Sequence, residues 1–162
     1  MKLFTRKAIM VPLIIVILLI SPSCTTDEAN EILLATYEAP EMENKIFTEV
    51  NSLRNSKGQP SLIFDETVRG IAREHSVNML INGELSHQDF GKRSNYILDN
   101  KSAKNTAENL AYGYTSAKSV VRAWTESDGH SQNIFGDYCH TGIGVVKGED
   151  GKHYFTQIFY KK

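Results

Sequence analysis

Cys139-His140-Thr141-Gly142-Ile143-Gly144-Val145-Val146-Lys147, Gly148-Glu149-Asp150-Gly151, Lys152-His153-Tyr154-Phe155-Thr156-Gln157-Ile158-Phe159-Tyr160 closes the chain. The first and third runs are rich in β-branched and aromatic residues, and the second is an acidic turn bracketed by glycines. The three together read as a β-hairpin. A hairpin joins antiparallel strands, so everything upstream has to be placed around an antiparallel sheet.

Working back from the hairpin, Ala117, Val120, Val121 and Trp124 recur at helical spacing behind Thr115 or Ser116, which opens an amphipathic helix. Before it, Glu108 to Tyr114 reads as a short strand. Asp65 is an N-cap for a helix in which Val68, Ile71, Ala72, His75 and Met79 share a face, and Asn82-Gly83 ends it. A first helix starts after Pro40, with Glu41 and Glu43 near its positive end and Met42, Ile46, Val50 and Leu53 in period; Lys57-Gly58 stops it. The stretch from Glu84 to Asn105 is polar and reads as irregular. Helix, helix, strand, helix, strand, strand is the expected order. It favours an α+β layer fold, an antiparallel sheet covered by helices, over a doubly wound parallel sheet.

The N-terminus reads as an address. Lys2, Arg6 and Lys7 precede a largely apolar run from Ala8 to Ile20, the layout of a secretory signal. The run is interrupted by Pro12 and is short of the roughly 20 residues that span a bilayer. Ser21-Pro22-Ser23-Cys24 resembles the lipobox of bacterial lipoproteins, in which the cysteine becomes the acylated N-terminus. Ser21 stands where leucine is usual, and the alternative is an ordinary signal cleaved nearby. The acidic Thr25-Thr26-Asp27-Glu28 resembles surface-export signals of some outer-membrane lipoproteins. The expected organisation is therefore residues 1–23 as signal peptide, 24–40 as an acidic tether and 41–162 as one domain, held at the outer membrane or cell surface by lipid on Cys24. The whole chain carries a formal net charge of -1, and without the three basic residues of the signal segment it has 15 basic against 19 acidic residues. No basic stripe offers a phosphate-binding surface, which excludes nucleic acid as an expected partner. Apart from Cys24 the cysteine is Cys139, read as a small packing residue at the start of a strand; with Cys24 acylated, no disulfide inside the domain is possible.

Chemistry-bearing residues gather in four short signatures: Ser86-His87, Glu108-Asn109-Leu110-Ala111, Trp124-Thr125-Glu126-Ser127-Asp128-Gly129-His130 and Phe155-Thr156-Gln157-Ile158-Phe159. His87 and His130 lie beside loops rather than on apolar faces. If folding brings them together, two imidazoles with the Glu108 carboxylate nearby offer a site for a borderline divalent metal such as Zn2+. The alternative is a pair of surface histidines.

Those signatures, in that order, with Val50-Asn51-Ser52-Leu53-Arg54, Pro60-Ser61-Leu62 and Ala72-Arg73-Glu74-His75-Ser76-Val77-Asn78-Met79, resemble the CAP superfamily: the cysteine-rich secretory, antigen 5 and pathogenesis-related-1 proteins, in its compact bacterial SCP-domain form. The resemblance runs from about Asn44 to Tyr160. It implies an α-β-α sandwich with a small central antiparallel sheet and a cleft carrying two histidines and two glutamates. His87, Glu108 and His130 fall on three of those positions, and Ser127 takes the place of the fourth acid. A three-residue site is the expectation, with His87 and His130 as metal ligands.

Three functions follow as expectations. The first is a binding module, since several relatives bind sterols, other lipids or a divalent metal; the ligand here would be a metal, a lipid or sterol-like small molecule, or an extracellular protein, and an apolar groove beside the histidines would favour lipid. The second is a metal-dependent hydrolase using His87, His130 and Glu108. The third is an adhesive or structural envelope protein. His75 is read as a structural histidine, Trp124 as a core anchor, Gly129 as the turn that faces His130 to the cleft, and Asn133 as a brace for that turn.

Overall fold

A computed structural model describes residues 39–162. The expected signal peptide, Cys24 and nearly all of the tether lie outside the described residues. The elements are α1 (Pro40–Ser56), β1 (Ile63–Phe64), α2 (Glu66–Asn82), α3 (Phe90–Lys101), β2 (Asn105–Tyr112), α4 (Ala117–Glu126), α5 (Asp128–Ile134), β3 (His140–Lys147) and β4 (His153–Lys161). The strands form one sheet in the order β1-β3-β4-β2. β3 and β4 are the antiparallel hairpin read from the sequence, with Ile143 opposite Gln157, and β4 also pairs antiparallel with β2, Glu108 lying opposite Ile158. The sheet is not wholly antiparallel, because the two-residue β1 pairs parallel with the start of β3.

Side chains alternate across a strand, and here both faces are buried. Phe155 and Phe159 of β4 join Ile143, Val145 and Ala107 beneath a layer containing Ile46 and Val50 of α1, Trp124 of α4 and Ile134 of α5. Ile158 and Tyr160 face the other way, onto Val68 and Ala72 of α2 and Ile97 of α3. The result is the expected α-β-α sandwich.

Close backbone approach fixes α2 on the sheet. A Cβ on Gly144 would stand 2.1 Å from the backbone nitrogen of Arg73, and one on Gly142 2.3 Å from that of Arg69, so only glycine lets α2 lie this near β3. Asp65 caps α2 by accepting from the amides of Thr67 (2.9 Å) and Val68 (3.1 Å), and Gly83 ends it in the left-handed region at φ 65°. Glu43, expected to act through the α1 dipole, is instead fully buried. It accepts from Nε and Nη2 of Arg73 at 2.7 Å each and from the Val145 amide at 3.0 Å, linking α1, α2 and the edge of β3 left uncovered where β1 stops.

The stretch expected to be irregular contains α3. It follows Asp89, which is left-handed at φ 58°, and its only fully buried apolar residue is Ile97. Polar contacts supply the rest of its attachment: Arg93 to Glu108, the Ser94 hydroxyl against that of Thr106 (2.7 Å), and Lys101 to Asp65 (3.1 Å). The turn assigned to Gly129 is also elsewhere. Gly129 lies inside α5, and the chain changes direction at Ser127, whose extended backbone (φ -100°, ψ 119°) ends α4 and begins α5.

Candidate functional site

β2 is an edge strand, and its consecutive residues Glu108 and Asn109 serve opposite faces of the sheet. On one face the Glu108 side chain, 1% exposed, meets His87 and Arg93. On the other, Asn109 donates from Nδ2 to the His130 carbonyl (3.1 Å) and accepts from Asn133 Nδ2 (2.8 Å). Asn133 thus ties α5 to β2, rather than bracing a turn at Gly129 as expected. Arg54, buried on α1, donates through Nη1 to the carbonyls of Ile134 (2.6 Å) and Gly136 (3.0 Å) and so fixes the end of α5. The site lies where the two helical layers meet over the sheet edge.

His87 reaches Glu108 from the loop after α2. His75 anchors that loop: buried on α2, it places Nε2 2.8 Å from the Ser86 carbonyl, next to His87, which is the structural role read from its spacing. Burial holds the His75 imidazole below its ordinary range, and the charge of Arg93 adds to this. His87 Nδ1 lies 2.8 Å from Glu108 Oε1. An ionised carboxylate only accepts, so Nδ1 carries the proton and Nε2 of the neutral ring is left as an acceptor. The His87 side chain is 56% exposed. Burial lowers the pKa of His130, and the neighbouring His87 lowers it further.

Arg93 is the residue that sequence reasoning missed. From α3 it donates through Nε to Oε2 and through Nη2 to Oε1 of Glu108, both at 2.9 Å, and through Nη1 to the Gln88 carbonyl at 2.8 Å. Its guanidinium also lies over the Phe90 ring. Phe90, Arg93, Ser94 and Ile97 are spaced for one helical face, a signal obscured because two of the four are polar. Both Glu108 oxygens are consequently occupied by hydrogen bonds to Arg93 and His87. No group of three His, Cys, Asp or Glu side chains among the described residues is arranged to hold a metal ion. His87 and His130 alone are fewer than the three protein ligands of even an open zinc site, so the residues as placed do not fit a three-ligand zinc centre.

Ser127, at the α4–α5 joint, is the N-cap residue of α5; its side chain makes no capping hydrogen bond, while its carbonyl accepts from the Ser131 amide at 2.8 Å. The geometry supplies an oriented imidazole and a carboxylate held by Arg93.

Beside the site, behind Arg93, a polar pocket of about 110 Å³ is lined by His75, Asn78, Asn82, Glu84, Gln88 and Asp89 among others. A larger groove of about 370 Å³, with Leu53 and Val121 in its lining, lies between α1 and α4. The pocket next to the histidines is thus polar, contrary to what capture of a whole lipid at that point requires. Trp124, as expected, anchors the core, its indole N–H donating to the Leu110 carbonyl at 2.9 Å. Cys139 is half-buried rather than packed inside, its Sγ 3.1 Å from His140 Nδ1.

Known proteins share this fold. An outer surface protein of Borrelia burgdorferi superposes with a TM-score of 0.69 at 25% identity, covering 78% of this chain and 98% of that one. An extracellular protein of Bacillus anthracis containing an SCP domain gives 0.65 at 24% identity, covering 88% of this chain and 45% of that one, a likeness of fold. In sequence the chain is 31% identical over 142 residues to the uncharacterized protein YkwD of Bacillus subtilis, covering 85% of this chain and 54% of that protein. It is 28% identical over 148 residues to the uncharacterized membrane protein YlbC of the same organism, covering 89% of this chain and 40% of that one. The chain thus spans about half the length of these curated relatives or less. Residues 47–159 match the profile of the CAP family, and with the sandwich and the His87–Glu108 edge site in place the chain belongs to the cysteine-rich secretory protein family.

Proposed function

We propose that this is an extracytoplasmic binding module whose cleft at His87, Glu108 and His130 holds the polar group of a small amphiphile. The observation that carries the reading is His87: an exposed imidazole held through Nδ1 by a buried carboxylate, which leaves Nε2 as the acceptor for a ligand O–H. The segment leading to it exposes apolar surface, Ile81 at 61% and Leu85 at 51%, which supports an apolar body on a ligand whose head enters the cleft. Display outside the cytoplasm is supported by the signal-like N-terminus and by structural neighbours named as surface or extracellular proteins, and a lipid on Cys24 by the lipobox-like Ser21-Pro22-Ser23-Cys24.

Calorimetric titration with 1-monolaurin below its micelle concentration tests this reading, because its glyceryl hydroxyls are donors and its chain is apolar. Saturable binding that is lost in His87→Ala/His130→Ala and weakened in Leu85→Ser is the expected result. Equal heats for wild type and the double variant contradict it.

A further inference from the structure

We propose that Arg93 is a built-in cation that closes this cleft to divalent metals and so reserves it for neutral, hydrogen-bonding ligands. The proposal concerns cation exclusion and stands whether or not an amphiphile binds.

Among the described residues, Glu108 is the carboxylate in direct contact with His87, and its side chain is 1% exposed. Nε and Nη2 of Arg93 take both of its oxygens, and the Arg93 side chain is 11% exposed. The arginine is itself held in place, by the Gln88 carbonyl on one side and the Phe90 ring on another. Arginine does not release its proton at any ordinary pH, so the positive charge beside Glu108 is permanent.

A divalent ion approaching His87 and His130 would meet that charge at short range. It would also find its third ligand already committed to a planar two-pronged pair, which an ion can displace only by leaving a partly buried guanidinium without its carboxylate. A neutral hydroxyl meets neither obstacle, because it needs only the His87 Nε2 lone pair. Arg93 therefore acts by holding Glu108; it is a positioning and specificity residue rather than a ligand.

The test is zinc binding by calorimetry, using zinc chloride alone, to wild type, Arg93→Met, Arg93→Lys and Arg93→Met/Glu108→Gln. Methionine keeps length and removes charge, so Arg93→Met should bind zinc on the order of 100-fold more tightly than wild type. Adding Glu108→Gln should remove the gain, and Arg93→Lys, which retains the charge, should stay weak. Equal affinity of wild type and Arg93→Met overturns the proposal, as does a gain that survives Glu108→Gln. If Arg93→Met does not fold, the wild-type protein gives a separate answer. Its Arg93 Nε–H resonance should remain slow to exchange and unshifted through a zinc titration to 1:1 and beyond. A shift or loss of protection in step with zinc would show that the ion displaces the guanidinium and would refute the idea.

Discussion

Glu108→Gln isolates the interaction on which the site depends. The substitution keeps shape and one acceptor oxygen but removes the charge that Arg93 and His87 share. The new amide NH2 must face either the guanidinium or the His87 N–H, placing donor against donor. Arg93 is 11% exposed, so its charge loses its partner in a place largely shielded from solvent. Breaking a buried pair costs about 3–5 kcal/mol, and the surviving bond to the Gln88 carbonyl places this case near the lower end, about 3 kcal/mol. For a domain of this size that corresponds to a fall of about 12 °C in Tm. Calorimetric melting and urea unfolding measure it directly, and the urea m-value shows whether the two states remain the same. A variant that melts within about 2 °C of wild type would refute the reasoning, since a pair worth so little could not organise the cleft.

Other consequences are open to measurement. Burial depresses the imidazoles of His75, His130, His140 and His153, with Arg93 adding to the effect at His75 and His87 at His130. The unfolded chain therefore binds more protons below its ordinary imidazole pKa of about 6.5; this stability is present above that pH and is lost as pH falls through the folded-state values. Tm should drop steadily between about pH 7 and pH 5, and a flat melting profile across that window would contradict the burial argument. Gly144→Ala drives a Cβ to within 2.1 Å of the α2 backbone and should cost about 3 kcal/mol in urea unfolding; Gly129→Ala, in open space on α5, should cost nothing measurable. Asp65→Ala removes the α2 cap together with the bonds from Lys101 and the Tyr160 hydroxyl (2.8 Å), for a loss of about 2 kcal/mol read by the same unfolding assay.

Much of the architecture is legible in the sequence because local signals agree with the tertiary outcome. The 139–160 hairpin has strand-forming arms and a glycine-bounded turn, and Asp65 and Gly83 bracket an apolar period that the fold buries. His75 and Trp124 can be placed because their helical spacing puts them among apolar neighbours. α3 escapes for the opposite reason. Ile97 is its single fully buried apolar residue, and ion pairs made far along the chain do not register as periodicity. β1 escapes because two residues carry no pattern; parallel pairing with β3 creates the strand.

The site is half legible. The motif positions single out His87, Glu108 and His130 as candidates; folding brings the His87 and Glu108 side chains into contact, and His130 joins β2 through its carbonyl, which accepts from Asn109. Spacing alone leaves a lone arginine in a polar stretch indistinguishable from a solvated one. Arg93 acquires its meaning from α3 lying over β2, a contact between elements, and it makes Glu108 one partner of an internal ion pair.

The most direct test of the account is the tautomer of His87, read from long-range proton–nitrogen correlation spectra of the 15N-labelled protein at alkaline pH. The account predicts the proton on Nδ1, held by Glu108, with Nε2 showing the shift of an unprotonated acceptor; Glu108→Gln should relax that preference. A proton found on Nε2 in the wild-type protein would mean that Glu108 does not orient the ring and that the cleft presents no acceptor to a ligand.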